Sequence, residues 1–202
     1  GDFKLRINQI RDGASRQVKN TSISDTGTIL NKSEVEMVTE FMLSLVSDKS
    51  GSDLYSLEEF IAQQKIPGIV RPIKLIATKI AARRNEDLNQ AVVIVGKPIF
   101  VTREGGAREE VFGAVRVIGG KIMIYISNTR LENRAVLSRT MIHELGAYIG
   151  LHHWINKQIL ELLVNNVKEP GDDTAVIRKI SSKELFKFIA THSQQVDGEV
   201  FK

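Results

Sequence analysis

No cysteine occurs among the 202 residues of the chain. Disulfide scaffolds, thiolate metal sites and cysteine nucleophiles are excluded with it, and no redox compartment can be read from the sequence. Long apolar runs are also missing: none approaches the ~18–20 residues needed to span a bilayer. No signal-peptide pattern stands at the start, and Gly1 in place of Met suggests a chain trimmed at that end. Nor is there a strong excess of one charge. Lys and Arg number 28 against 24 Asp and Glu, a formal net charge of +4. The densest basic spots, Arg83-Arg84 and the Lys183/Lys187 pair, read as solvated helix faces and not as the clustered footprint of a nucleic-acid binder. No nucleic acid and no membrane is expected as a partner. Internal repeats and low-complexity segments are absent.

What the chain does have is ordinary globular material: 42% hydrophobic and 26% charged residues, enough to build a core without staples. The length suits one domain with an N-terminal extension. Residues 1–50 are expected to be that extension, or a pro-segment, and 51–202 the main domain. Within 1–32 the alternation over Phe3–Asn8 predicts a short strand, and the rest a loop. Ser33 and Glu36 have capping-box spacing and introduce the apolar set Val35, Val38, Met42 and Leu45. Ser56 and Glu59 open a short helix through Gln64, stopped by Pro67-Gly68. A third helix is predicted over Ile73–Arg84, with Ile73, Ile76, Ala77 and Ile80 on one face.

The character then changes. Ala91–Val95, Pro98–Thr102, Val111–Ile118 and Lys121–Ser127 are rich in Val and Ile and read as strands, with turns at Gly96-Lys97, Gly105-Gly106 and Gly119-Gly120. The last two strands are expected to form a hairpin around Gly119-Gly120. A long helix follows over 134–150, then a loop at Pro170-Gly171-Asp172-Asp173 and a final helix from Ser181 to about His192. This order predicts an α+β fold.

Chemistry concentrates in His143-Glu144-Leu145-Gly146-Ala147-Tyr148-Ile149-Gly150-Leu151-His152-His153. Positions 143 and 147 lie one turn apart on one helix face. Glu144, next to His143, is placed to reach a metal-bound water as general base. The step from 143 to 153 along an unbroken helix is ~15 Å of rise, too far for one metal. Gly150 removes that obstacle, because glycine takes the left-handed conformation that ends a helix and turns the chain back.

The segment resembles the metzincin signature H-E-x-x-H-x-x-G-x-x-H. His143, Glu144, Gly150 and His153 match in register, and Ala147 stands where the second histidine belongs. With one ligand allowed to be missing, such a match arises by chance in about one chain of this length in a thousand. The resemblance implies a metzincin- or zincin-like α+β fold: a small twisted mixed sheet packed on an active-site helix over about 134–150, with a helical C-terminal part. It implies a zinc-dependent endopeptidase, with Zn2+ held by His143 and His153 and with Glu144 as the catalytic base. A peptide or protein substrate is expected along an edge strand near Lys121–Ser127, and a secreted or extracytoplasmic location follows from the same likeness.

Two departures stand against this pattern. Ala147 offers no donor atom, so zinc should be held weakly or not at all. His152, the neighbour of His153, is a candidate substitute, although adjacent residues are expected to point in different directions, and a downstream Glu161 or Glu169 would still need the histidine missing at 147. The methionines Met37, Met42, Met123 and Met141 all precede His153, so none supplies the family's methionine turn. Ala147 is either an introduced substitution that silences the enzyme or a natural loss. The second case gives the alternative reading, a non-catalytic pseudopeptidase or peptide-binding module on the same fold. A third reading is a basic accessory protein with no metal history. If residues 1–50 do act as a latency segment, an aspartate such as Asp12 or Asp25 must replace the missing cysteine. His192, Trp154 and Asp172-Asp173 read as a surface histidine, a core anchor and a solvated turn.

Overall fold

The computed structural model describes residues 2–13, 23–25, 31–46 and 51–150, and the single position 187. The expectations for His152, His153, Trp154, Glu161, Glu169, the loop at Pro170 and the final helix to His192 lie outside the described residues.

Among the described residues, twelve helices and strands carry the fold. In chain order they are α1 (Asp2–Gly13), β1 (Ile23–Asp25), α2 (Lys32–Leu45), β2 (Asp53–Ser56), α3 (Leu57–Gln63), α4 (Pro67–Arg83), β3 (Val92–Gly96), β4 (Ile99–Thr102), β5 (Arg108–Val111), β6 (Gly113–Ile118), β7 (Lys121–Ser127) and α5 (Arg134–Ile149). The main sheet has the order β1-β6-β7-β3-β2, while β4 and β5 form a separate antiparallel pair. β3 and β7 run parallel, with Val93 opposite Ile124, and the other neighbours run antiparallel. The protein is therefore α+β with a small mixed sheet.

Strand alternation assigns each sheet face to its own helices. Val93, Val95, Val115, Val117, Ile122, Ile124 and Ile126 join a core with α3, α4 and α5. Val92, Ile94, Ala114, Met123 and Tyr125 join a second core with α1, α2 and the β4–β5 pair. α1 and α2, from before position 50, thus share one face of the sheet with the β4–β5 pair.

Several sequence expectations need correction. Phe3–Asn8 is helical, within α1. Read on to Ile10, the apolar positions Phe3, Ile7 and Ile10 follow helical and not strand spacing, and Ile7 and Ile10 are buried. Helix α2 is capped two residues before the expected Ser33. The Asn31 side chain accepts from the Glu34 amide at 2.9 Å, and Glu34 returns the bond to the Asn31 amide at 3.0 Å. Pro67 opens α4 at its first position, where its missing N–H costs nothing, instead of only ending the helix before it. The segment Val111–Ile118 is divided, Val111 closing β5 and Gly113 opening β6. β1 and β2 gave no usable signal, being three and four residues long.

The most consequential correction concerns Lys121–Ser127. β7 is no edge strand: it lies between β6 and β3. Its residues Ile122–Ser127 are all buried. An uninterrupted apolar run is what a strand covered on both faces requires, whereas a half-exposed strand alternates. A peptide cannot add to β7, because both of its hydrogen-bonding sides are taken.

The hairpin itself is as expected. Ile118 pairs with Lys121 across Gly119-Gly120, whose φ values are +55° and +76°. Both central residues are left-handed, the conformation of the turn that suits the twist of a two-residue hairpin. Gly120→Val should cost roughly 1–2 kcal/mol in urea unfolding, while Gly119→Asn should cost a few tenths, since Asn tolerates this region. Equal losses would contradict the turn assignment.

Candidate active site

The candidate site is built on α5. Asn133 caps its start: the side-chain oxygen accepts from the Val136 amide at 3.0 Å. The turn leading into it is held by Glu110, whose Oε1 accepts from Ser127 Oγ and Thr129 Oγ1, each at 2.7 Å. The end of β7 and the turn that follows it are thereby tied to β5.

Every residue from Thr140 to Ile149 is buried, and only Arg134, Val136 and Arg139 along the length of α5 escape full burial. A surface helix shows one apolar stripe; α5 is enclosed on all sides from Thr140 to Ile149. The polar residues His143 and Glu144 are enclosed too, at 3% and 0% exposure. Burying an imidazole and a carboxyl side by side carries a desolvation cost that an ordinary packing helix avoids by using apolar residues. Thr140 and Ser138 satisfy their hydroxyls within the helix, donating to Val136 O at 3.2 Å and Arg134 O at 2.6 Å.

Glu144 faces the sheet at Gly113. A Cβ placed on Gly113 would lie 3.1 Å from Glu144 Cγ, from Thr140 Cγ2 and from the Tyr125 carbonyl oxygen. Glycine at the start of β6 thus permits the close approach of α5. Sequence reasoning passed over Gly113, Thr140, Tyr148 and Glu86. The signal for the first was present, since an isolated glycine in a strand often marks a close backbone or helix contact.

α5 ends at Gly150, which has φ +92° and ψ +22°. Its amide donates to Ala147 O at 2.9 Å. The helix end is clamped to the turn after α4. The Tyr148 hydroxyl donates to Glu86, and Arg84 Nη1 donates to the Tyr148 carbonyl oxygen at 2.8 Å. The Arg84 guanidinium also lies 5.1 Å from the Tyr148 ring centre. Arg84, exposed as expected of a solvated helix face, also holds the helix terminus.

Burial, followed by the contact with Glu86, pushes the Tyr148 phenol well above its ordinary value of 10.0. Tyr125, buried and donating to Lys97 O at 2.6 Å, is raised in the same way, with burial as the main cause. A phenol with a raised folded pKa stabilises the fold below its unfolded value, and this stabilisation is lost as pH climbs towards the folded one. Stability should therefore be level to about pH 9 and fall above pH 10. Phenolate absorbance from these two residues should appear together with unfolding. Smooth ionisation near pH 10 with the fold intact would contradict their burial.

Of the residues singled out from sequence, His143, Glu144 and Ala147 are brought together on consecutive turns of α5. Ala147, 4% exposed, belongs to the apolar core with Leu145 and Tyr148. Zinc in a hydrolytic site takes three protein donors and one open position. Position 147 supplies none, so the chain as it stands does not fit that donor set. Among the described residues no three His, Cys, Asp or Glu side chains gather around one point, and no helix is long and apolar enough to cross a membrane. Neither the family models, the curated proteins nor the solved structures contain a significant match to this chain.

Proposed function

We propose that α5 is the active-site helix of a metzincin-type zinc endopeptidase with one ligand position lost, so that this form is impaired in metal binding and hydrolysis. One observation carries the reading. The helix bearing His143-Glu144 stops at a left-handed Gly150, which is where a third ligand at His153 needs the chain to turn. In a complete site zinc would polarise the scissile carbonyl and acidify its water. Glu144, held against Gly113 in a dry setting, would take the proton; His143 and His153 would be ligands. The substrate would be an extended peptide, and the compartment an extracytoplasmic one.

A second reading is favoured by the packing of Ala147 into the apolar core: a peptide-binding module on the same fold that grips without cutting. Metal analysis of the dialysed Ala147→His protein tests the first reading directly. Uptake towards one zinc per chain supports it; none at all leaves an α+β domain with no metal history.

A further inference from the structure

The start of α5, the end remote from Gly150, opens into a cleft of about 390 Å³. A cleft of that size takes a small organic molecule. Its wall includes Lys65, Leu131, Glu132, Asn133, Arg134 and Leu137. From Asn133 to His143 the helix rises ~15 Å, so the cleft is distinct from the candidate active site. Asn133 is 2% exposed. Its Oδ1 accepts from the Val136 amide, and that bond fixes which side-chain atom is the oxygen. Nδ2, on the other side of the same carbon, is turned from the helix towards the cleft that Asn133 lines. It is buried and has no hydrogen-bond partner among the described residues. A buried donor left unsatisfied carries a desolvation cost that a ligand acceptor would relieve.

The rest of the wall favours an acceptor that is anionic. The amides of Arg134 and Ala135 are the first two of α5 and have no acceptor within the helix. They form the positive end of the helix dipole. The Lys65 and Arg134 side chains add two cations. Glu132, a carboxylate on the same wall, is exposed, and its charge also acts on Arg130. Leu131, 39% exposed, and Leu137 give the cleft an apolar side. We infer that this cleft binds a small organic anion. Its oxyanion head, a carboxylate or a phosphate monoester, is held by Asn133 Nδ2, by the first amides of α5 and by the charges of Lys65 and Arg134. Its apolar body lies against Leu131 and Leu137. Lys65 itself has φ +57°, a conformation that glycine takes without steric cost. Lys65→Gly therefore removes a cation while leaving the turn unstrained.

The test titrates the full chain with hexyl phosphate, hexanoate and inorganic phosphate, and follows its backbone amide resonances. Those of Arg134 and Ala135 should shift saturably with at least one hexyl compound, half-saturating below about 1 mM. The tighter of the two identifies the head group. Inorganic phosphate should bind roughly tenfold more weakly or worse, because it leaves Leu131 and Leu137 wet. Asn133→Asp keeps a cap oxygen for Val136 but puts an anionic acceptor where Nδ2 stood, and should weaken binding by about tenfold or more. If that variant does not fold, Asn133→Ser, which keeps the cap and drops Nδ2, carries the test. Lys65→Gly should weaken binding about threefold, with a melting temperature within about 2 °C of the parent's. No shift at Arg134 and Ala135 with any probe up to about 10 mM overturns the proposal. So does affinity unchanged in a folded Asn133 variant. Inorganic phosphate binding as tightly as hexyl phosphate overturns it too, since the cleft then takes a bare ion. No zinc enters this assay, so its outcome is independent of the Ala147→His result.

Discussion

Ala147→His is expected to turn a chain with little or no bound zinc into one that holds about one zinc per molecule and cleaves peptide bonds in a mixed peptide library. The new imidazole would stand one helical turn from His143, on a helix already fixed at both ends by Asn133 and by the Tyr148–Glu86–Arg84 clamp. Room must be made for it, because Ala147 is packed among apolar neighbours. Overfilling a core typically costs about 1–3 kcal/mol. Zinc bound by a full ligand set contributes about 10–16 kcal/mol in small structural sites, so the metal should win and the fold should survive. In the same background Glu144→Gln should keep the zinc and lose cleavage by about 10²–10⁴-fold, the usual contribution of a positioned general base. A chelator should stop cleavage by the Ala147→His protein. Zinc bound without cleavage would favour the binding-module reading, and cleavage undiminished by Glu144→Gln would remove that residue from its role.

How far the sequence alone reaches differs from one element to the next, for physical reasons. The hairpin at Gly119-Gly120 and the stop at Gly150 were legible because each needs a positive φ that glycine supplies locally. Helices α2, α3 and α4 were legible from apolar spacing, since Val35, Val38 and Met42, or Ile73, Ile76 and Ala77, must share a buried stripe. Strand order was not legible. The neighbours of β7 depend on β3, about 30 residues earlier in sequence by the pairing of Val93 with Ile124. No local spacing records that pairing. β1 was invisible for a related reason: three residues carry too little pattern, and their place is set by the free edge of β6. At the site the sequence named the side chains with chemistry, His143 and Glu144, and missed those that position them. Arg84, Glu86 and Tyr148 belong to segments joined only by folding.

Gly113→Val is expected to destabilise the protein by about 3 kcal/mol, and Gly113→Ala by about 1 kcal/mol, in urea unfolding. Already at Cβ the added carbon meets Glu144 Cγ, Thr140 Cγ2 and the Tyr125 carbonyl oxygen, all at 3.1 Å. The carbonyl belongs to central strand β7 and cannot give way without breaking the ladder with β6 or β3. Thr140 is held by its bond to Val136 O. What remains is for α5 to move off the sheet, and Glu144 moves with it. The site should therefore feel the change before the fold fails. In the Ala147→His protein, Gly113→Ala should lower cleavage at least tenfold while leaving zinc content near its parent value. The glutamate is displaced relative to the bound peptide, whereas the ligands travel together on one helix. Zinc and cleavage lost in proportion would mean that the helix has simply unfolded. Neither lost, with stability equal to the parent, would mean that the sheet and α5 have room to spare at Gly113, and the close approach would carry no functional weight.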